Sequence, residues 1–175
     1  MSFERTDPPY SADETTMLRS FLDYFRVTVR RQAEGLTQQQ LATPLPTSPL
    51  TLGGMLKHLT YVEQWWWTVV FKGEEAQGIW AQVDWDADED WDWHSAVDDS
   101  PAQLMQWHEE EVARANATLD AAMATGDLDQ LAKMPRHNGR HASLRWILVH
   151  LIEEYARHAG HADLIREAID GETDL

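Results

Sequence analysis

Met17, Leu18, Phe21, Leu22, Phe25 and Val29 recur at intervals of three and four residues, the spacing that gathers apolar side chains on one face of an α-helix. Ser11 with Glu14 has the form of a capping box, so a first helix is predicted over 12–34, up to Gly35. The following stretch, GLTQQQLATPLPTSPL, carries three prolines and reads as a connection with one helical turn around Gln38 to Leu41. Leu52, Met55, Leu56, Leu59, Val62 and Trp66 restore the helical period and predict a second helix over 51–72, stopped by Gly73. Residues 74–100 hold neither the helical nor the alternating period and are expected to form a long, ordered loop. Ser100, Pro101 and Gln103 then supply an N-cap, a first-turn proline and a capping-box partner. Leu104, His108, Val112, Ala115, Leu119 and Ala122 carry the third helix to about Thr125. A polar connection containing Pro135 and Asn138-Gly139 leads to Ser143, the expected N-cap of the longest pattern, which ends near Gly171.

Four amphipathic helices without a strand-like segment predict an all-α fold, an antiparallel four-helix bundle with a long acidic, Trp-rich loop between helices two and three. The length of 175 residues suits a single domain over 1–175. With no cysteine in the chain, any thiol chemistry has to arrive with a substrate. The N-terminal MSFERTDPPYSADE has acids and prolines where a signal peptide has a basic start and an apolar stretch, so a cytoplasmic location is expected. The richest apolar stretch, Trp65 to Phe71, falls far short of the ~18 residues of a membrane span. A formal net charge of −16 repels phosphate backbones and anionic lipid, which argues against nucleic-acid and membrane partners. Much of that excess sits in residues 84–99, DWDADEDWDWHSAVDD, which hold no Lys or Arg.

Candidate chemistry lies on the fourth helix. At about 100° per residue, His150, Glu154, His158 and His161 fall within an arc of roughly 80°, together with or near the apolar Ile147, Leu151, Ile165 and Ala168. A carboxylate on a core-facing stripe needs an ion pair, a neutralising pKa shift or a metal. Glu154 and His158, four apart, put an oxygen and an imidazole nitrogen side by side, and His58 lies close to the apolar face of the second helix. Spacing alone leaves two readings open, hydrogen-bonded residues of a helical core or ligands of a divalent ion. Two His and one carboxylate suit zinc, nickel, iron or manganese and leave coordination positions for water or substrate. The helix lacks H-E-x-x-H, and the chain lacks the paired Glu-x-x-His motifs of di-iron carboxylate bundles.

TLGGMLKHLTYVEQWWW at 51–67, DWDADEDWDWHSA at 84–96 and SLRWILVHLIEEYARHAGHADLIREAIDG at 143–171 resemble the DinB/YfiT-like superfamily, in its branch long labelled as of unknown function, and the resemblance covers most of the chain. It implies a four-helix bundle with a metal, most readily zinc, held by His58, Glu154 and His158. Many members have His where this chain has Glu154, whereas the mycothiol-dependent maleylpyruvate isomerase branch is similar to this chain in using Glu there. The resemblance further implies a metal-dependent S-transferase that activates a low-molecular-weight thiol, of the mycothiol or bacillithiol type, against a small-molecule electrophile. With the abundance of Trp, it also leads to the expectation of a homodimer. His161, Glu63 and Tyr61 are candidates for hydrogen-bonding the ligands or moving protons. Two rivals share the same residues, a metal-binding or interaction bundle without catalysis and a metal-dependent hydrolase.

The tryptophans bear on the loop and the core. Trp65, Trp66 and Trp67 cannot all face one direction on a helix, and core packing is expected for some of them. Trp85, Trp91 and Trp93 are expected to pin the acidic loop onto the bundle, as a lid over the pocket. Asp84, Asp86 and Asp88 have the spacing of a calcium loop, but Glu89 occupies the glycine position and Ser95 the position of the terminal Glu. They read as a solvated face.

Overall fold

The computed structural model describes residues 4–173. Among these residues there is no β-strand, only isolated bridges at Leu45–Ser48 and Leu131–Ser143. The helices are α1 (Glu14–Ala33), α2 (Gln38–Leu41), α3 (Leu52–Gln64), α4 (Trp91–His94), α5 (Pro101–Thr125) and α6 (Leu144–Asp170). The four long ones pack pairwise, α1 and α3 on α6, α3 on α1 and α5. Their interface holds Leu22, Leu56, Leu59, Leu104, Leu119, Leu148, Leu151 and Ile165, each almost wholly removed from water. No helix among the described residues is long and apolar enough to cross a membrane.

Helix ends follow the capping residues, with one correction. Asp13, and not Ser11, caps α1: its carboxylate accepts from the Thr16 amide at 3.0 Å and from the Thr16 hydroxyl. A carboxylate also opposes the positive end of the helix dipole, an advantage a serine lacks. Ser100 and Gln103 form the expected capping box on α5. Ser143 caps α6, whose end is closed by Gly171 in the left-handed region at φ +81°, where glycine carries no Cβ penalty.

The second predicted helix is not one uninterrupted α-helix. It is α-helical to Gln64, and Trp65–Phe71 continues as a π-helix, with the Lys72 amide reaching back five residues to the Trp67 carbonyl. Within it Trp66 and Trp67 are buried while Trp65 remains half-buried. Residues 74–100 are ordered as a loop with short helical turns at Gly78–Gln82, in α4 and at Ser95–Asp98.

A polar network crosses the core. Arg26 of α1, 3% exposed, makes a two-pronged ion pair with Glu63 of α3, 0% exposed, at 2.7 Å through both Nε and Nη2. Its Nη1 donates to Asn116 of α5 and to Asp23, and Trp67 Nε1 donates to Glu63 at 3.0 Å. Burial disfavours the Arg26 cation, but the Glu63 charge and hydrogen bonds outweigh it and hold the guanidinium protonated. Beside this pair, His108 Nε2 and the Tyr155 hydroxyl meet at 2.9 Å, joining α5 to α6.

Candidate metal centre

His58 on α3 and Glu154 and His158 on α6 each offer a ligand atom, and these atoms lie within 4.8 Å of one another. The arrangement follows from packing α3 on α6, since a four-residue step on α6 stacks Glu154 and His158 along the helix and α3 delivers His58 opposite them. The polar stripe of α6 runs along the margin of its buried face, not through its centre. Leu148, Leu151, Tyr155 and Ala162 hold the centre, and of the stripe only His158 is buried while His150, Glu154 and His161 are half-buried. A marginal position keeps the ligand atoms reachable from solvent.

Charge and proton placement suit a cation. Burial, then the neighbouring His58 and His161, push the His158 imidazole down to about 4, so its ring is neutral and a nitrogen lone pair is available. Glu154 has no Lys or Arg partner among the described residues; its nearest cationic candidates are His150 Nε2 at 3.4 Å and His158 Nε2 at 3.8 Å. His158 Nδ1 is buried without a hydrogen-bond partner, as is His161 Nδ1 on the ring that meets His158 edge-on. A half-buried carboxylate beside a neutral imidazole and an unpartnered ring nitrogen is a donor set that a divalent ion fits.

Asp92, absent from the sequence-derived candidates, completes the geometry. Its carboxylate is buried and lies 2.7 Å from His58 Nδ1. A carboxylate accepts, so Nδ1 carries the ring proton and Nε2 is left with the free lone pair, the hydrogen-bonding pattern that orients metal-binding histidines. Asp92 belongs to α4, in the acidic segment whose Asp84, Asp86 and Asp88 read as a solvated face. Asp84 and Asp86 are indeed exposed, and Asp88 pairs with His94. The one mark of Asp92 in the sequence is its place between Trp91 and Trp93, yet in the short helix Asp92 is buried while both tryptophans are only half-buried.

Several contacts from α3 hold the acidic segment in place. Lys57, 2% exposed, donates to Ser95 and pairs with Asp99, and its ammonium lies 4.2 Å from the Trp91 ring. The cation missing from residues 84–99 is therefore supplied by the residue next to His58. Trp93 stacks on His58 with centroids 4.7 Å apart and approaches His158 at 5.6 Å, forming an indole wall on the cluster. That approach needs Gly54, where a Cβ would lie 2.9 Å from both Trp93 Cε3 and Thr51 Oγ1. Trp85 stacks on Tyr61 at 4.4 Å.

The remaining sequence candidates divide by place. His161 lies against His158. Tyr61 is under the tryptophans of the loop, where burial and then the Asp92 charge push its phenol up to about 12, so it stays protonated at neutral pH. Glu63 belongs to the buried pair with Arg26, with both oxygens engaged. His150 stacks on Trp146 at 4.9 Å and leads along α6 to Glu154.

An all-helical domain that brings two imidazoles and a carboxylate from two helices to one point is a helical protein able to hold a divalent cation. The chain belongs to the mycothiol-S-transferase family, whose model matches residues 17–171, and so to the DinB-like proteins that the sequence resembles. No curated protein matches the chain.

Proposed function

We propose that this protein is a metal-dependent S-transferase that joins a low-molecular-weight thiol of the mycothiol or bacillithiol type to a small-molecule electrophile. The observation that carries the reading is the convergence of His58, Glu154 and His158, with His58 held by Asp92, in a chain of the mycothiol-S-transferase family. In this reading His58, Glu154 and His158 are the ligands and zinc is the ion. A divalent ion held there would bind the thiol as its thiolate and lower its pKa.

The chain's own residues do the rest. Asp92 fixes the tautomer and ring plane of His58, and Trp93 shields that ring from water. Burial keeps His158 from competing for the proton that the thiol gives up. His161, with a ring nitrogen unpartnered beside His158, is the group best placed to relay that proton to solvent. Glu63 positions α1 against α3 through Arg26 and takes no part in proton transfer. The long helices form an antiparallel bundle on which the acidic segment acts as a lid. The protein works in the cytoplasm as a homodimer, to which the exposed Val149 and Leu164 of α6 contribute apolar surface, without nucleic-acid or membrane partners.

Incubating metal-loaded protein with a panel of thiols and electrophiles, with mass-spectrometric detection, tests the reading. A conjugate formed with turnover, dependent on both thiol and metal and lost in His58→Ala and His158→Ala, is the expected result. Stoichiometric metal without any conjugate would leave a binding protein, and thiol-independent product would indicate hydrolysis.

A further inference from the structure

The opposite pole of charge lies in the connection that leads into α6. Lys133, Arg136, Arg140 and Arg145 fall within thirteen consecutive residues that also contain His137 and His141 and no acid, in a chain where Asp and Glu outnumber Lys and Arg 30 to 14. In such a chain arginines are expected to find carboxylates, and Arg19, Arg26, Arg30, Arg114, Arg145, Arg157 and Arg166 all do. Arg136 and Arg140 have no carboxylate partner among the described residues. Both line a cavity of about 550 Å³ shared with His137, His141, Leu131 and Trp146, a volume in the range of small-molecule sites.

The walls of this cavity are complementary to an amphipathic anion. Arg136 is half-buried, its guanidinium 4.8 Å from the Trp66 ring centroid. The Arg136 amide donates to the Arg140 carbonyl at 2.8 Å and Gly139, at φ +75°, donates to Arg136, which holds the two arginines on one tight turn. His141 Nδ1 donates to the Ala132 carbonyl, so its Nε2 is the ring atom left for a ligand. The apolar side is supplied by Leu131 and Trp146, 63% and 46% exposed. The first amides of α6 contribute nothing, because Leu144, Arg145 and Trp146 already donate to Gln130, Leu128 and Ser143. Recognition of an anion therefore rests on the side chains.

We propose that this cavity binds an organic carboxylate or sulfonate with an apolar body, its charge on Arg136 and Arg140 and its body against Trp146 and Leu131. The position connects it to the metal centre. Trp146 stacks on His150, whose Nε2 faces Glu154, and eight residues of α6, about 12 Å, separate Trp146 from Glu154. The ligand is thus the anionic end of the electrophile, an assignment that rests on the S-transferase reading, whereas the binding itself does not.

Calorimetric titration of the full chain in the presence of chelator, with 2-naphthoate as probe, tests the binding independently of any metal or thiol. The expected result is one site for naphthoate, with naphthalene-2-carboxamide bound about tenfold more weakly or worse because it lacks the charge. Arg140→Gln, at an exposed position, and Arg136→Gln are each expected to weaken naphthoate by about tenfold, and Trp146→Ala to weaken it while leaving inorganic phosphate unaffected. Equal affinity for the carboxamide, unchanged affinity in both arginine variants, or no heat with naphthoate would overturn the proposal. Phosphate binding as tightly as naphthoate would overturn the organic class and leave a site for a free inorganic anion. Naphthoate binding retained in Glu154→Gln separates this site from the metal centre, so failure of the S-transferase reading would not remove it.

Discussion

Two glutamates on the helical core, Glu63 and Glu154, stand in contrasting surroundings. Glu63 is fully enclosed and meets a fixed cation, Arg26, with a second donor from Trp67. Glu154 is half-buried at the margin of α6 and meets only imidazoles, among them a His158 held neutral by burial. A carboxylate satisfied by guanidinium is a structural group, because removing either partner strands the other's charge in the core. A carboxylate whose neighbours are imidazoles has no fixed cation tied to it and is open to a ligand that enters and leaves. The contrast shows why residue type and helical face do not distinguish the two, while the partner's pKa does.

The sharpest way to break the contrast is to remove Arg26. Arg26→Ala leaves Glu63 buried and unpaired and is expected to cost about 3–5 kcal/mol in urea denaturation, with Arg26→Met/Glu63→Leu recovering most of the loss. Metal comes next. Zinc at 100-fold over its dissociation constant is expected to stabilise the wild type by about 2.7 kcal/mol, a gain that His58→Ala, Glu154→Gln and His158→Ala abolish; elemental analysis of protein purified without chelator reports the same loss. Retained stoichiometric metal in all three variants would refute the ligand assignment. Asp92→Asn is expected to weaken metal binding 10- to 100-fold, by roughly 1.4–2.7 kcal/mol, without displacing the ligands, as read by competition with a chromogenic chelator.

His108, buried in the core against Tyr155, makes stability depend on pH. Burial first, then the charges of Arg30 and Arg26, lower His108 to about 3, below its ordinary value of 6.5. The fold therefore favours neutral His108. Its contribution to stability is fully present above about pH 6.5 and is lost as pH falls below that value towards 3, by about 1.4 kcal/mol per pH unit. His108→Gln should flatten the acid limb of the stability profile by that slope relative to wild type, and an unchanged slope would mean that His108 charges without cost. The smallest effect expected is on the metal-free stability of Glu154→Gln, within about 1 kcal/mol of wild type because no fixed cation is stranded.

Much of the fold is determined by local sequence. The period of apolar residues marks the four long helices, Ser100, Ser143 and Gly171 fix their ends, and the four-residue step that joins Glu154 to His158 is a property of any helix. The candidate cluster was legible for that reason, with His58 identified by its closeness to an apolar face and by the resemblance to DinB-like proteins. Tertiary structure alone decided which charges meet. Asp84 and Asp86 flank Trp85 as Asp92 lies between Trp91 and Trp93, and Asp92 becomes the partner of His58 because Trp93 packs onto Gly54 and Lys57 draws in Ser95 and Asp99. Glu63 and Arg26, thirty-seven residues apart, find one another only when α1 lies against α3. The π-helical form of Trp65–Phe71 is likewise not written in the apolar period, which reads as one continuous helix. Periodicity is written within a few turns of chain, whereas burial and pairing depend on surfaces brought together from distant segments, and those surfaces set the protonation and partners on which the site's chemistry rests.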